Sequence, residues 1–252
     1  MFVAQRHELI LEKLKKKGQV RVKELAGEFG VTEDLIRKDL STLEQQGKLT
    51  RNYGGAVPLR HSETSRLASQ KKILNMEAKS AIAKKAFELI QPGMIVYLDI
   101  STTNMVLAKQ IVKSQLPVTV VTNMLEIMNI LAASSTTLVS IGGELDYGRE
   151  GFIGAVAYET LKNFRFDLAF IGAMGVEPEN DALTILTAAE SLTKKLVLQN
   201  SAKKYVLAEN EKINRAGNYQ FATLEEVDGI IFDSPVDADT KEILESRQVE
   251  VL

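Results

Sequence analysis

Apolar residues recur along this chain in two rhythms, and the change of rhythm divides it. Over residues 1–57 the spacing is helical. Leu9, Ile10 and Leu14, with Phe2 ahead of them, form a stripe that predicts a first helix over 5–17. Lys15, Lys16 and Lys17 load its last turn, where positive charge suits the negative end of the helix dipole, and Gly18 stops it. The lysine run reads either as a solvated helix end or as a phosphate contact. A short extended piece over 19–22 leads into a second helix over 22–29, with Leu25, Ala26 and Phe29 facing inward. Gly30 then makes a tight turn and Val31 packs below it. Thr32 suits the N-cap of a third helix, and Glu33 and Asp34 suit its first turn. Leu35, Ile36, Leu40 and Leu43 are its expected buried face, Arg37 and Lys38 point elsewhere, and Gly47 ends it. Residues 48–57 read as two short strands around a glycine-bearing turn at Tyr53 and Gly54.

From residue 76 onward apolar extended runs alternate with amphipathic stretches. The extended runs are 95–98, 118–121, 138–141, 168–171, 205–207 and 229–232. The helical stretches are 79–90, 104–113, 125–133, 155–163, 188–199 and 239–246. Such alternation predicts an α/β domain with a mostly parallel sheet covered on both faces. Residues 58–75 carry Arg60, Arg66, Lys71 and Lys72, have mixed polarity and show no period. The expected organisation is a small head over 1–57, a linker over 58–75 and an α/β body over 76–252.

Composition removes several function classes. The 252 residues include no cysteine, which rules out a disulfide framework, a thiolate metal site and a cysteine nucleophile. The two histidines, His7 and His61, lie far apart in sequence, so neither a histidine metal site nor a Ser-His-Asp triad is expected. No catalytic residues, metal or cofactor are expected. Charge appears within six residues of the start, and no run approaches 18 apolar residues, so a cytoplasmic protein with no membrane partner is expected. Residues 1–60 hold 12 Lys and Arg against 8 Asp and Glu, a balance of +4. The remainder holds 19 against 25, a balance of −6, which together give the chain's −2. A basic head on an acidic body points to nucleic-acid binding by the head.

The helix, glycine-containing turn and helix of the head form a helix-turn-helix pattern, in which the second of the pair enters the major groove. Its expected contacts with double-stranded operator DNA are Thr32, Leu35, Arg37 and Lys38, with Arg51, Tyr53 and Gly54 from a β-wing. The run 31–40 with its Ile36-Arg37-Lys38-Asp39-Leu40 core, then Leu43-Glu44, Gly47 and Arg51-Asn52-Tyr53-Gly54-Gly55-Ala56, resembles the winged helix-turn-helix of the DeoR family of bacterial repressors. That family usually has a small or hydroxyl residue where Leu35 stands. Asp34 before it would repel phosphate, though it can accept from cytosine N4.

In parallel sheets ligands bind beyond the carboxyl ends of the strands. Residues 99–103, 122–123, 142–144 and 172–175 hold hydroxyls, amides and glycines at such ends. These loops also resemble the DeoR sensor domain, which is similar in fold to ribose-5-phosphate isomerase and binds a phosphorylated sugar or related metabolite. The resemblance assigns effector binding to Asp99, Ser101, Thr102, Thr103, Asn123, Gly142, Gly143, Gly154, Gly172, Glu190, Lys194 and Lys212. Three places depart from the family pattern. Ser101 replaces a glycine and would be strained if that position needs a positive φ. Ala182-Leu183-Thr184-Ile185 replaces Gly-Leu-Thr-Thr, and Glu211 adds a negative charge beside Lys212.

Plainer readings stand beside these. Glu190 and Lys194 fit a surface ion pair, Asp99 a turn cap, Gly142 and Gly143 a bare turn, and Lys212 a solvated lysine. The expected function is a DNA-binding regulator, a repressor of a carbohydrate uptake or catabolic operon. It would act as a homo-oligomer, dimer or higher, that reads paired half-sites. The rivals are an isomerase-like enzyme with a fused head and a regulator that has lost small-molecule sensing.

Overall fold

The computed structural model describes residues 2–46, 48–58, 74–146, 148 and 150–252. The expected linker, with Arg60, Arg66, Lys71 and Lys72, therefore lies almost wholly outside the described residues, as does Gly47. So do the side chains of Lys15, Lys16 and Lys17. The chain divides into two compact units, one of 1–62 with 214–216 and one of 63–213 with 217–252.

The smaller unit runs α1 (Val3–Lys17), β1 (Val20–Arg21), α2 (Val22–Phe29), α3 (Glu33–Gln45), β2 (Leu49–Asn52) and β3 (Gly55–Pro58). Ile10, Leu14, Leu25, Ile36, Leu40, Leu43 and Leu49 meet in one core. Each buried side chain of this size stabilises by about 1.5–3 kcal/mol. Two expectations change here. Phe2 is 85 % exposed, and the stripe of α1 instead begins at Arg6, one turn before Ile10. Leu35 is only half-buried, and the fourth buried position of α3 is Asp39. The strands form a sheet in the order β1-β3-β2. Gly55 is required there, because a Cβ would lie 1.9 Å from the Val20 carbonyl oxygen of the neighbouring strand.

The larger unit is built on seven parallel strands. They are β4 (Ile95–Leu98), β5 (Thr119–Thr122), β6 (Thr137–Ser140), β9 (Phe166–Gly172), β12 (Ser201–Ala208), β14 (Gly229–Phe232) and β15 (Glu250–Val251). Their order is β15-β14-β12-β9-β4-β5-β6. Alternate residues serve opposite faces. Tyr97, Val121, Ala169, Ile171 and Val206 pack beneath α7 (Gly154–Leu161), α8 (Ala188–Gln199) and α9 (Ala238–Ser246). Val96, Leu98, Val120, Phe170 and Leu207 pack beneath α4 (Met76–Glu88), α5 (Thr102–Ser114) and α6 (Leu125–Ala132). The expected two-sided α/β domain is therefore what forms.

Two small features were not expected from the sequence. One is a hairpin of β7 (Glu144–Asp146) and β8 (Gly151–Ile153). The other is an antiparallel sheet of β10 (Gly175–Glu177), β11 (Ala182–Ile185) and β13 (Tyr219–Ala222). Their strands are three or four residues long, too short for an alternating pattern to stand out.

The chain fills the main sheet outward from β4, first toward β6 and then, after returning, toward β15. The order thus reverses between β4 and β9. A crevice opens at such a reversal, beyond the carboxyl ends of the strands.

Candidate functional sites

In the smaller unit, Thr32 caps α3, its hydroxyl accepting the Leu35 N–H at 3.3 Å. Ile36, Leu40 and Leu43 anchor one face of α3 in the core, which leaves Arg37 and Lys38 exposed on another. Arg37, though exposed, is paired along its own helix. Its Nη2 lies 2.6 Å from the Glu33 carboxylate and its Nη1 2.8 Å from that of Asp34. The β2–β3 turn presents Tyr53 fully exposed beside Gly54, whose φ of 90° suits glycine. The Arg51 N–H donates to Glu44 Oε1 at 2.9 Å, and the Arg51 guanidinium lies 4.0 Å from the same carboxylate.

This unit also holds a buried charge cluster that the residue pattern does not announce. Asp39 of α3 accepts from Arg6 Nε at 2.5 Å and Nη2 at 3.1 Å, and it sits 3.0 Å from His7 Nε2. Arg6 and Asp39 are 3 % and 4 % exposed, so neither can rely on water. Burial alone would raise the Asp39 carboxyl. Hydrogen bonds from Arg6 and His7, with the charge of Arg6, outweigh it and hold the group below its ordinary range. The cluster ties α1 to α3 and so fixes the orientation of the exposed face of α3. Its only sequence signal is a charged residue one turn before Ile10 on an apolar stripe.

In the larger unit, the reversal point holds a second buried pair. Asp99, just after β4, forms an ion pair with Lys194 of α8, and both are almost fully enclosed. The Asp99 carboxylate also bridges the reversal, where the Gly172 N–H at the end of β9 donates to Oδ2 at 2.9 Å. Lys194 Nζ also lies 5.7 Å from the centre of the Phe221 ring. Asp99 is thus more than a turn cap, and Glu190 and Lys194, at 4 % and 1 % exposure, are no surface pair. Glu190 lies in the first turn of α8, where its N–H donates to the Thr187 hydroxyl at 3.4 Å.

Ser101 is the N-cap of α5 and accepts the Thr103 N–H at 3.2 Å. Its φ is −159°, ordinary extended backbone, so replacing glycine here carries no strain. The glycine requirement falls on Gly172 instead, where a Cβ would meet the Ser101 Cβ at 2.8 Å. Thr103 is buried and Thr102 half-buried at the same helix start.

Asn123 belongs to a different part of the rim. Its Oδ1 accepts the Tyr97 hydroxyl at 2.7 Å, and its Nδ2 donates to the Phe152 carbonyl at 2.9 Å. The Phe152 N–H returns a bond to the Asn123 carbonyl at 2.7 Å. Asn123 therefore pins the β7–β8 hairpin to the sheet. Desolvation, then the charge of Asp99, pushes the Tyr97 hydroxyl well above its ordinary value, so it stays a donor to Asn123. Gly143 and Gly154 stand at the base of the hairpin. A Cβ on Gly143 would lie 2.6 Å from the Ile153 carbonyl oxygen, and one on Gly154 would lie 3.0 Å from the Glu144 carboxylate. Gly142 is exposed beside them. Lys212 stands on a separate rim loop, 3.7 Å from Glu209, whose carboxylate also accepts from Asn75 Nδ2 at 2.8 Å.

The structure thus brings together Asp99, Gly172, Lys194, Ser101 and Thr103, and it places Asn123, Gly143 and Gly154 at the hairpin. Among the described residues, no cluster of three or more metal-ligating side chains occurs. No described helix is long and apolar enough to cross a membrane.

These features define a class, a winged helix-turn-helix regulator whose second unit is a parallel α/β domain with a buried ion pair at its strand reversal. Residues 6–61 match the DeoR-like helix-turn-helix domain, and residues 74–234 match the DeoR C-terminal sensor domain. The chain belongs to the DeoR family of transcriptional regulators. It is 32 % identical to the HTH-type transcriptional regulator GlpR of Haloferax volcanii, over 100 % of this chain and 98 % of that one. It is likewise 32 % identical to the lactose phosphotransferase system repressor of Staphylococcus epidermidis, covering 96 % of each. The glycerol-3-phosphate regulon repressor of Escherichia coli is 28 % identical over 98 % of this chain and 97 % of its own. These relatives are named as regulators or repressors, not as enzymes. Among solved structures, ribose 5-phosphate isomerase A of Methanocaldococcus jannaschii aligns with 54 % of this chain and 53 % of its own, at 21 % identity and a TM-score of 0.39.

Proposed function

We propose that this protein is a cytoplasmic repressor of a carbohydrate uptake or catabolic operon, and that a phosphorylated sugar or related metabolite releases it from its operator. A head over 1–57 would bind DNA, and a body over 76–252 would sense the metabolite and form a dimer or higher homo-oligomer. The observation that carries this reading is the Asp99–Lys194 pair at the strand reversal of one unit, together with a capped and exposed α3 in the other, in a chain of this family. Charged groups are kept out of water there only at a cost, and a ligand that uses them gives a reason for it. The names of the relatives, repressors of lactose and glycerol-3-phosphate systems, support the substrate class.

In this reading Thr32, Leu35, Arg37 and Lys38 meet the major groove, and Arg51, Tyr53 and Gly54 meet the backbone or minor groove. Asp99, Ser101, Thr102, Thr103, Gly172, Glu190 and Lys194 face the effector. Gly142, Gly143, Gly154 and Asn123 shape the hairpin beside it, and Lys212 approaches from its own loop. The effector acts only if it binds one arrangement of the oligomer better than another.

One observation favours a second reading, a regulator that no longer senses a small molecule. Asp99 and Lys194 satisfy each other, and both polar atoms of the Asn123 amide are engaged within the fold. A thermal-shift screen of sugar phosphates separates the two. A true effector at 100 times its Kd stabilises the folded state by about 2.7 kcal/mol, which raises the melting temperature. A panel that leaves the melting temperature unmoved establishes the second reading.

A further inference from the structure

The recognition helix carries its arginine in a closed state. The Arg37 fork is held at both tips, by Glu33 four residues before it and Asp34 three residues before it. Those spacings place all three side chains on one stretch of helix surface. Helical side chains lean toward the N-terminus, so the guanidinium lies over the first turn of α3. This is the part of a recognition helix that meets base edges.

We propose that Glu33 and Asp34 are specificity-determining residues, an acidic gate that keeps Arg37 from phosphate and yields it to the edge of a G·C pair. The inference rests on the reading of α3 as the recognition helix. Two physical points carry it. A DNA backbone brings negative charge toward two carboxylates, and the repulsion opposes any phosphate contact that Arg37 would make. A guanine edge is neutral and offers two acceptors, O6 and N7, that match the arginine fork. A carboxylate released there finds a donor in cytosine N4. The gate therefore opposes sequence-independent binding and leaves base reading nearly untouched. Arg51 on the wing has a weaker version of the same neighbour, with its guanidinium 4.0 Å from Glu44 of α3.

The test uses the full chain and two fluorescent duplexes. One is selected by the wild-type protein from a random pool, and the other is a scrambled sequence. Glu33→Gln with Asp34→Asn removes both charges and keeps the side-chain shapes. Affinity for the scrambled duplex should rise by about 10-fold near 0.1 M salt, and its log–log salt slope should steepen by about 0.9 as Arg37 gains one phosphate. Affinity for the selected duplex should change much less, so the ratio between the two should fall. Adding Arg37→Gln to the double variant should remove the gain. Should the double variant unfold, Glu33→Gln alone gives the same sign at smaller size, because Asp34 and the Thr32 cap remain.

An unchanged ratio overturns the proposal. So does a gain that survives Arg37→Gln, since it would come from plain repulsion rather than release of the arginine. If the wild-type protein selects no duplex at all, the recognition-helix reading itself fails and the gate falls with it.

Discussion

The two units each bury an ion pair, and the pairs differ in what surrounds them. In the head, Asp39 receives three side-chain contacts, from Arg6 Nε, Arg6 Nη2 and His7 Nε2, all from α1. The cluster lies on the core side of α3, away from exposed Arg37 and Lys38. In the body, Asp99 and Lys194 meet at the carboxyl ends of parallel strands, where α8, the end of β9 and Phe221 of β13 supply the neighbours. The first pair has a finished shell and orients a helix. The second, just as buried, lies at the strand reversal, the place where parallel α/β domains take ligands. A buried pair is therefore not a functional signal by itself, and its place in the fold decides the reading.

Removing one partner tests this contrast most severely. Asp39→Ala leaves the Arg6 charge buried and should destabilise the head by about 3–5 kcal/mol. Denaturant unfolding would measure that loss, and DNA binding should disappear with it. Replacing both partners, Arg6→Met with Asp39→Leu, should recover most of the stability and the DNA binding, because an apolar pair of similar volume is often neutral or better. Failure of the double replacement to recover binding would mean that the cluster does more than orient α3.

The same pair of experiments on the body should end differently. Lys194→Met alone leaves a buried carboxylate and should also cost about 3–5 kcal/mol. Asp99→Asn with Lys194→Met should restore the fold but abolish any melting-temperature rise caused by a sugar phosphate. A restored fold with an intact ligand shift would make this pair structural, like the one in the head.

Acid sharpens the comparison at smaller size. Asp39 is held below the ordinary carboxylate range in the folded head. Its contribution to stability is therefore complete above the unfolded carboxylate value and is lost as pH falls through the lower folded one. Unfolding curves taken between neutral and strongly acidic pH should show that loss in the wild type. They should show less of it in the Arg6→Met, Asp39→Leu variant. The smallest expected effect belongs to the cap of α3. Thr32→Ala should cost about 1 kcal/mol, read as a lower melting temperature of the head.

Much of the fold was legible because periodicity reports burial. β4, β14 and α8 form over the expected 95–98, 229–232 and 188–199. The missed elements have physical reasons. β11 is buried at all four positions and β7 has only three residues, so neither alternates. Apolar character puts Phe2 on the α1 stripe, yet the position facing the core is that of Arg6, whose charge is met by Asp39. The same reasoning puts Leu35 in the core, although Asp39 occupies the inward position. Partners 33 residues apart in sequence leave no local pattern.

The candidate site was legible as a set of residue types, less so as a geometry. Asp99, Gly172 and Lys194 converge as motif residues should. Asn123 has the right chemistry for a ligand, but its amide holds Tyr97 and Phe152. Only three-dimensional neighbours reveal that use. Ser101 looked strained because a glycine was expected, and its extended φ shows that the close approach belongs to Gly172.

The central claim is that a DNA-reading head is governed by a metabolite-sensing body. It is tested most directly by a gel-shift titration on the region upstream of the protein's own operon, repeated with each sugar phosphate that raises the melting temperature. The account predicts a specific complex that weakens with salt and that such a compound dissociates. No specific complex at low salt, or a complex that no stabilising compound alters, would contradict it.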